Sequence, residues 1–75
     1  MAKDFKKEYS FLTPTHRLLL RSEVMFNFHY TTKQAFYKLI RGERKLSNSD
    51  LEFLNKRFEF YFQVQKETGR IFLEL

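Results

Sequence analysis

Basic and amide side chains are concentrated between Thr31 and Lys45, and these are the residues of the chain best suited to chemistry. An amide side chain can pair with adenine through two hydrogen bonds, and a lysine can reach the acceptor atoms of guanine. Hydroxyl groups and further cations suit contacts with phosphate oxygens. We predict base contacts by Lys33, Gln34, Tyr37 and Lys38. We predict phosphate contacts by Thr31, Thr32, Arg41, Arg44 and Lys45.

The same stretch carries the pattern of a short helix over residues 32–41. Thr31 and Thr32 open it with hydroxyl oxygens that can accept hydrogen bonds from unpaired backbone N–H groups. An apolar stripe on one side is formed by Ala35, Phe36, Leu39 and Ile40. Gly42 ends the helix, since glycine readily adopts a left-handed backbone conformation. An apolar back and a basic, amide-bearing front give the physical form of a DNA-reading helix; the alternative is an ordinary solvated helix face.

Catalytic and metal sites find no support in the sequence. His16 and His29 are the only histidines, and no cysteine is present to complete a zinc site, which normally takes three or four protein ligands. The serines lack a partner spacing typical of a nucleophile. The glycines, Gly42 and Gly69, form no phosphate-binding loop. We expect no enzyme, no metal, no cofactor and no small-molecule substrate.

The composition is that of one small folded domain with a basic surface. Hydrophobic residues make up 43% of the 75 residues and aromatic residues 19%, which is too apolar for a disordered chain. The net charge of +5 favours a polyanion as partner. The longest apolar runs, 18–20 and 24–26, are too short to cross a membrane, and the N-terminus shows no secretory signal. We expect a cytoplasmic protein without a membrane partner.

A first helix over residues 14–28 is predicted by Thr13 at the cap position and Pro14 at the first helical position. Its apolar residues spread around most of the circumference, so it must be covered on more than one side. This makes it the central helix of the domain, unless part of it is buried in a dimer. The short connection to the next helix is typical of a helix-turn-helix, although it contains no glycine.

A third helix over residues 48–67 is predicted, with Ser47 or Ser49 as its cap. Residues 58–65 also alternate between apolar and polar side chains, which suits a strand. We prefer the helix because its pattern covers the whole segment and places the polar residues in one arc.

Short extended segments are predicted at both ends of the domain. Gly69 would end the third helix, leaving a tail over residues 70–75 to pair with residues 4–11 or with another chain. The arm over residues 1–13 carries rings at even spacing, namely Phe5, Tyr9 and Phe11. It could be a short strand, an arm that docks its rings, a basic arm on a phosphate backbone or a frayed terminus. Its positive charge comes from Lys3, Lys6 and Lys7.

The segment TKQAFYKLIRGERKLSNSDLEFL resembles the Cro/C1-type (lambda-repressor-like) helix-turn-helix family, and it is similar to small phage-type or Bacteroidetes regulators. It matches the family's recognition helix, glycine turn and following helix at Thr32, Lys33, Gln34, Ala35, Phe36, Leu39, Gly42 and Ser47. The chain departs from the family where Met25 or Phe26 replaces a small alanine, and where His29 or Tyr30 replaces the turn glycine. The resemblance implies base reading by Lys33, Gln34 and Lys38. It implies phosphate contacts by Thr32, Arg41, Arg44 and Lys45.

These patterns together predict a mainly α-helical domain of three helices with short extended ends. Its expected function is sequence-specific binding of double-stranded DNA as a small transcriptional regulator. A homodimer is expected because one reading helix contacts too few base pairs, and its surface would be the aromatic side of residues 51–64 together with the tail. The alternatives are a small basic protein-interaction module that docks with its aromatic surface, and an RNA- or ribosome-binding protein that uses the same charges.

Overall fold

Four α-helices make up the computed structural model, which describes the backbone of residues 4–74 and the side chains of residues 4–68. They are α1 (Lys6–Ser10), α2 (Pro14–Asn27), α3 (Lys33–Ile40) and α4 (Asn48–Glu74). No strand occurs in residues 4–74, so the predicted mainly helical fold is confirmed. None of the helices in this range combines the length and the hydropathy that crossing a membrane requires.

The threonines predicted to start α2 and α3 both act as caps. The Thr13 hydroxyl oxygen accepts a hydrogen bond from the His16 N–H at 3.2 Å, and Pro14 follows at the first helical position. The Thr32 hydroxyl oxygen accepts from the Ala35 N–H at 3.3 Å. Each cap pairs one of the backbone donors that the first turn of a helix leaves without an internal partner.

Helix α4 starts with a reciprocal cap. The Ser47 hydroxyl oxygen accepts from the Asp50 N–H at 3.1 Å, and the Asp50 carboxylate accepts from the Ser47 N–H at 3.4 Å. This arrangement is a variant of the capping box with aspartate in the third position. The helical interpretation of residues 58–65 is confirmed, since all of them lie within α4.

Helix α3 ends at a glycine turn, as predicted. Gly42 has a φ of 79°, and its N–H donates to the Leu39 carbonyl at 3.1 Å. The Glu43 N–H donates to the Lys38 carbonyl at 2.9 Å. These two bonds define a Schellman motif, which turns the chain sharply after α3.

Helix α2 ends in the same motif without a glycine. His29 takes the left-handed position with a φ of 58°. The Tyr30 N–H donates to the Met25 carbonyl at 2.8 Å, and the His29 N–H donates to the Phe26 carbonyl at 3.3 Å. The chain has no glycine at this turn, and it forms the turn by placing histidine in a conformation that costs a residue with a Cβ roughly 1–2 kcal/mol.

Replacing His29 with glycine is expected to raise the free energy of unfolding by about 1 kcal/mol. Glycine adopts the left-handed conformation without a steric penalty, and this gain exceeds its larger loss of entropy on folding. Urea unfolding followed by circular dichroism measures the change. His29→Val is the opposing control, since a β-branched residue should lower stability at this position. An unchanged stability in His29→Gly would show that the turn is not strained.

The core lies between α2, α3 and α4 and is closed at one end by residues before α2. Its buried members are Phe5, Leu12, Leu20, Val24, Phe36, Leu39, Ile40, Leu54, Phe58 and Tyr61. Much of the aromatic side of residues 51–64 is therefore inside the domain, because Leu54, Phe58 and Tyr61 are buried. The prediction that this side forms a dimer surface is wrong for these residues; the small domain needs them for its own core.

The N-terminal arm is not extended over residues 1–13, because its middle forms the one-turn helix α1. Phe5 is fully buried and stacks on Phe58 with ring centroids 5.3 Å apart, and its N–H donates to the Ile40 carbonyl at 2.8 Å. Leu12 is also buried. Phe5, Tyr9 and Leu12 follow helical spacing, which explains why a helix rather than a strand docks these side chains. Met1, Ala2 and Lys3 lie outside the described residues.

The C-terminal tail is not extended either. The backbone of α4 continues through Gly69 to Glu74, which makes α4 27 residues long. A glycine inside a helix costs about 1 kcal/mol relative to alanine, but it ends a helix only where the chain turns at positive φ. The side chains after Thr68 and the residue Leu75 lie outside the described part, and so does the predicted dimer contact of the tail.

Candidate nucleic-acid interface

The residues predicted to contact DNA share one exposed surface. Helix α3 buries Phe36, Leu39 and Ile40 against the core. Its opposite side and the turns before and after it expose every predicted contact residue: Thr31, Thr32, Lys33, Gln34, Tyr37, Lys38, Arg41, Arg44 and Lys45. We call this the reading surface. A buried back fixes the helix, and the exposed front leaves these side chains accessible to a large ligand.

Tyr37 has an intramolecular partner on the reading surface. The Arg21 guanidinium, on α2, donates to the Tyr37 hydroxyl oxygen at 3.2 Å. The ring of Tyr37 packs edge-on against the buried Phe36, with centroids 5.4 Å apart. These contacts hold the phenol between α2 and α3, so its hydroxyl lies beside a cation.

Arg17 and Arg21 extend the positive charge of the reading surface onto α2. Both are half-buried, and the Tyr9 hydroxyl donates to the Arg17 carbonyl at 3.4 Å. Burial raises the pKa of Tyr9, as does the neighbouring Tyr37, whereas the charges of Arg21 and Arg17 lower it. Neither arginine was among the residues predicted to contact DNA. Their i, i+4 spacing, which places two residues on the same side of a helix, was the available signal.

Arg41 does not project freely, because it is paired with Glu43. The Arg41 guanidinium donates to the Glu43 carboxylate across the glycine turn. This hydrogen bond lowers the pKa of Glu43, and the charges of Arg41, Lys38 and Lys6 lower it further. The Glu43 carboxylate therefore carries a negative charge among the positive side chains of Arg41, Lys38 and Lys6. Sequence reasoning placed Arg41 on phosphate and treated Glu43 only as part of a solvated turn.

Arg44 is positioned by an aromatic ring from the other end of α3. Its guanidinium carbon lies 4.8 Å from the centroid of Tyr30, in the turn that precedes α3. Tyr30 in turn packs against Phe28, with centroids 5.7 Å apart. A cation–π contact of this kind is worth about 0.5–1 kcal/mol at an exposed site, which orients the side chain without neutralising its charge.

A second polar cluster lies on the other side of α2 and serves the packing of α4. The Arg57 guanidinium donates two hydrogen bonds to the Glu23 carboxylate, at 2.8 and 2.9 Å. The Tyr61 hydroxyl donates to the same carboxylate at 2.7 Å. Burial raises the pKa of Tyr61, and the hydrogen bond to Glu23 raises it further. The mutual pairing of these groups indicates a structural role.

Stability is expected to fall at alkaline pH through Tyr61. The native state favours the neutral phenol, because the pKa of Tyr61 is higher in the folded than in the unfolded chain. The stability that Tyr61 contributes is therefore fully present below the usual tyrosine pKa of about 10, and it is lost as pH rises through the pKa of the folded state. Tyr61→Phe should be less stable at neutral pH by about 1 kcal/mol, through loss of one hydrogen bond, yet decline less steeply above pH 10. Urea unfolding across this pH range provides the measurement, and equal slopes in both proteins would contradict it.

Gln65 joins the C-terminal half of α4 to the junction of α1 and α2. Its Oε1 accepts from the Thr13 N–H at 2.8 Å and lies 2.9 Å from His16 Nδ1. Its Nε2 donates to the Phe11 carbonyl at 3.2 Å. Because Oε1 can only accept, His16 carries its hydrogen on Nδ1 in this contact. His16 is half-buried and engaged in packing, with its ring 5.3 Å from that of Tyr61.

Within the described residues, no group of three or more His, Asp or Glu side chains is placed to hold a metal ion. His29 is exposed in its turn.

Comparison of the chain with protein-family models, curated protein sequences and solved structures finds no match in any of the three. The resemblance to the Cro/C1-type family therefore stays a prediction that rests on the residues quoted above.

Proposed function

We propose that this protein binds double-stranded DNA in a sequence-specific manner and acts as a small transcriptional regulator. The observation that carries the proposal is the reading surface: the predicted base contacts and the predicted phosphate contacts are exposed together on one side of α3 and its flanking turns. Helix α3 would enter the major groove with Lys33, Gln34, Tyr37 and Lys38 toward the bases.

The charge around the reading surface supports a polyanion as ligand. Lys33 and Lys38 lie on α3, Arg44 and Lys45 follow it, and Arg21 reaches its edge from α2. These cations are exposed or half-buried, and each phosphate that a cation neutralises releases counterions from DNA. Binding should therefore weaken steeply with salt.

The N-terminal end of α3 would offer contacts to the phosphate backbone. Thr31 and Thr32 stand at its N-terminus, where the unpaired N–H groups and the helix dipole favour an anion. The Thr32 hydroxyl oxygen is used in the cap, but its hydrogen remains available to a phosphate oxygen. Arg44 is held over Tyr30 near the same end, which supports a phosphate contact at a constant distance from the proposed base contacts.

The function would require two copies of the chain on adjacent half-sites. A single short helix covers only a few base pairs, and a two-fold dimer doubles the sequence that is read. The proposed target is therefore a palindromic or nearly palindromic duplex.

Binding to a pool of random duplex DNA, measured by fluorescence anisotropy over a salt series with selection of the retained sequences, tests the proposal. We expect affinity that falls steeply with salt and an enriched two-fold sequence among the retained duplexes. A duplex RNA of the same length is the control, because its deep and narrow major groove does not admit a reading helix. Failure to bind DNA at physiological salt, or equal binding of the RNA, would overturn the proposal.

A further inference from the structure

The outer face of α2 is apolar and is not covered by another helix in the described part of the structure. Phe26 is 84% exposed, Leu18 52% and Leu19 45%. The other residues on this side of the helix, Thr15 and Ser22, are exposed and uncharged. We call these residues the α2 outer face. In a chain of which 31% is charged, an exposed helix side without a single charge is unusual and is typical of the centre of a protein interface.

A groove lies beside this face, between α2 and α4. Its volume is about 290 Å³, and it is lined by Glu23, Phe26, Asn27, Phe53 and Arg57. Phe60, which is 49% exposed, continues the apolar border, with the Arg57 guanidinium carbon 4.6 Å from its ring centroid. The groove therefore offers aromatic edges and a planar guanidinium, which suit an aromatic ring.

The charged groups in the groove are already paired with each other. Glu23 accepts two hydrogen bonds from Arg57 and one from Tyr61. An apolar side chain that enters the groove would therefore leave these three groups with their existing partners, and their hydrogen bonds would limit the desolvation cost.

We propose that the occupant is a second copy of this chain, with Phe26 of each copy entering the groove of the other. In a two-fold interface the same surface is used by both copies, so this surface must complement itself. A residue that protrudes from one copy must therefore fit a groove in the same surface of the other copy. Phe26 meets this requirement, since it protrudes from α2 and also forms a wall of the groove.

The distribution of charge favours the α2 outer face and the groove as the place where two copies meet. Each chain carries a net charge of +5, so two copies repel unless they meet where cations are absent or paired. The α2 outer face has no charge, and the cation in the groove, Arg57, is bonded to Glu23. On the opposite side of α2, the Arg21 guanidinium donates to the Tyr37 hydroxyl, so the pairing leaves the reading surface free.

The pairing of two copies would make the proposed regulator a two-fold dimer. The biological role of the pairing therefore rests on the proposed function. The contact itself is measured without DNA. Loss of DNA binding and loss of dimerisation are therefore separate results.

Sedimentation equilibrium of the full chain at protein concentrations up to about 1 mM tests the proposal. The wild-type protein should pass from monomer to dimer, and Phe26→Ser should dimerise at least about tenfold more weakly, since an aromatic anchor is removed. Phe26 is largely exposed, so the variant should keep the thermal stability of the wild type. Asn27→Arg, which places a cation at the exposed edge of the groove, is a second variant with the same expected result.

Phe11→Ser is the matched control. Phe11 is 61% exposed in the turn after α1, away from the groove lining, so this variant should dimerise like the wild type. A wild-type protein that stays monomeric at every concentration would overturn the proposal. So would a dimer that survives both Phe26→Ser and Asn27→Arg, or one that Phe11→Ser weakens as much as Phe26→Ser does.

Discussion

Replacing Phe5 with alanine is expected to lower the free energy of unfolding by about 3–5 kcal/mol. The Phe5 side chain is fully buried, and its ring lies parallel to Phe58 within 7°. Its removal would lose the transfer free energy of the ring and leave a cavity between α1, α3 and α4. A domain of this size has roughly 4–11 kcal/mol of stability in total, so the variant should be largely or partly unfolded at physiological temperature.

Thermal and urea unfolding, followed by circular dichroism at 222 nm, measure this effect. Phe11→Ala is the control, since it removes the same ring from an exposed position and should change stability by no more than about 0.5 kcal/mol. Equal losses in the two variants would mean that the N-terminal segment is not docked through Phe5.

The second large effect is expected on DNA recognition. Lys33→Ala or Gln34→Ala should each weaken binding to the selected sequence by about 1–3 kcal/mol, because a base-reading contact is lost, and should relax the preference at one base position. Binding to random DNA should change much less. Both residues are exposed and outside the core, so neither substitution should disturb the fold.

A matched pair of substitutions separates base reading from charge. Arg44→Ala with Lys45→Ala should weaken binding to selected and random DNA alike and reduce the salt dependence by about two counterions. Anisotropy titrations of each variant against both DNAs over a salt series give the comparison. If Lys33→Ala and Gln34→Ala lowered both affinities equally, their role as base readers would be refuted.

Local signals in the sequence predicted those parts of the fold that local interactions determine. Thr13, Thr32 and Ser47 act as caps, and Gly42 takes its left-handed turn, because each depends on residues within one helical turn. The same holds for the exposed front of α3, whose position follows from its apolar back. These features need no knowledge of the rest of the chain.

The parts that sequence reasoning missed depend on distant contacts. Helix α1 is a single turn whose docking is decided by Phe58, so its short pattern was ambiguous between strand and arm. Gly69 looks like a stop, yet the backbone continues as a helix through Glu74. The pairing of Arg21 with Tyr37 joins two helices, so no spacing within one helix could reveal it.

The prediction that the aromatic side of residues 51–64 forms a dimer surface failed for a related reason. Amphipathic patterns identify apolar residues, but in a domain this small the core takes most of them. Leu54, Phe58 and Tyr61 are buried inside, whereas Phe26 remains outside. Only the three-dimensional arrangement shows which apolar residues are left over.

The contacts of Phe5 also determine when the domain can form during synthesis. Its N–H holds the last carbonyl of α3, and its ring needs Phe58, which leaves the ribosome much later. A nascent chain that ends before α4 therefore has α2 and α3 but lacks the ring that docks α1. Since domains generally fold as units, the reading helix gains its final support only after α4 has been synthesised, and a fragment released before that point would lack it.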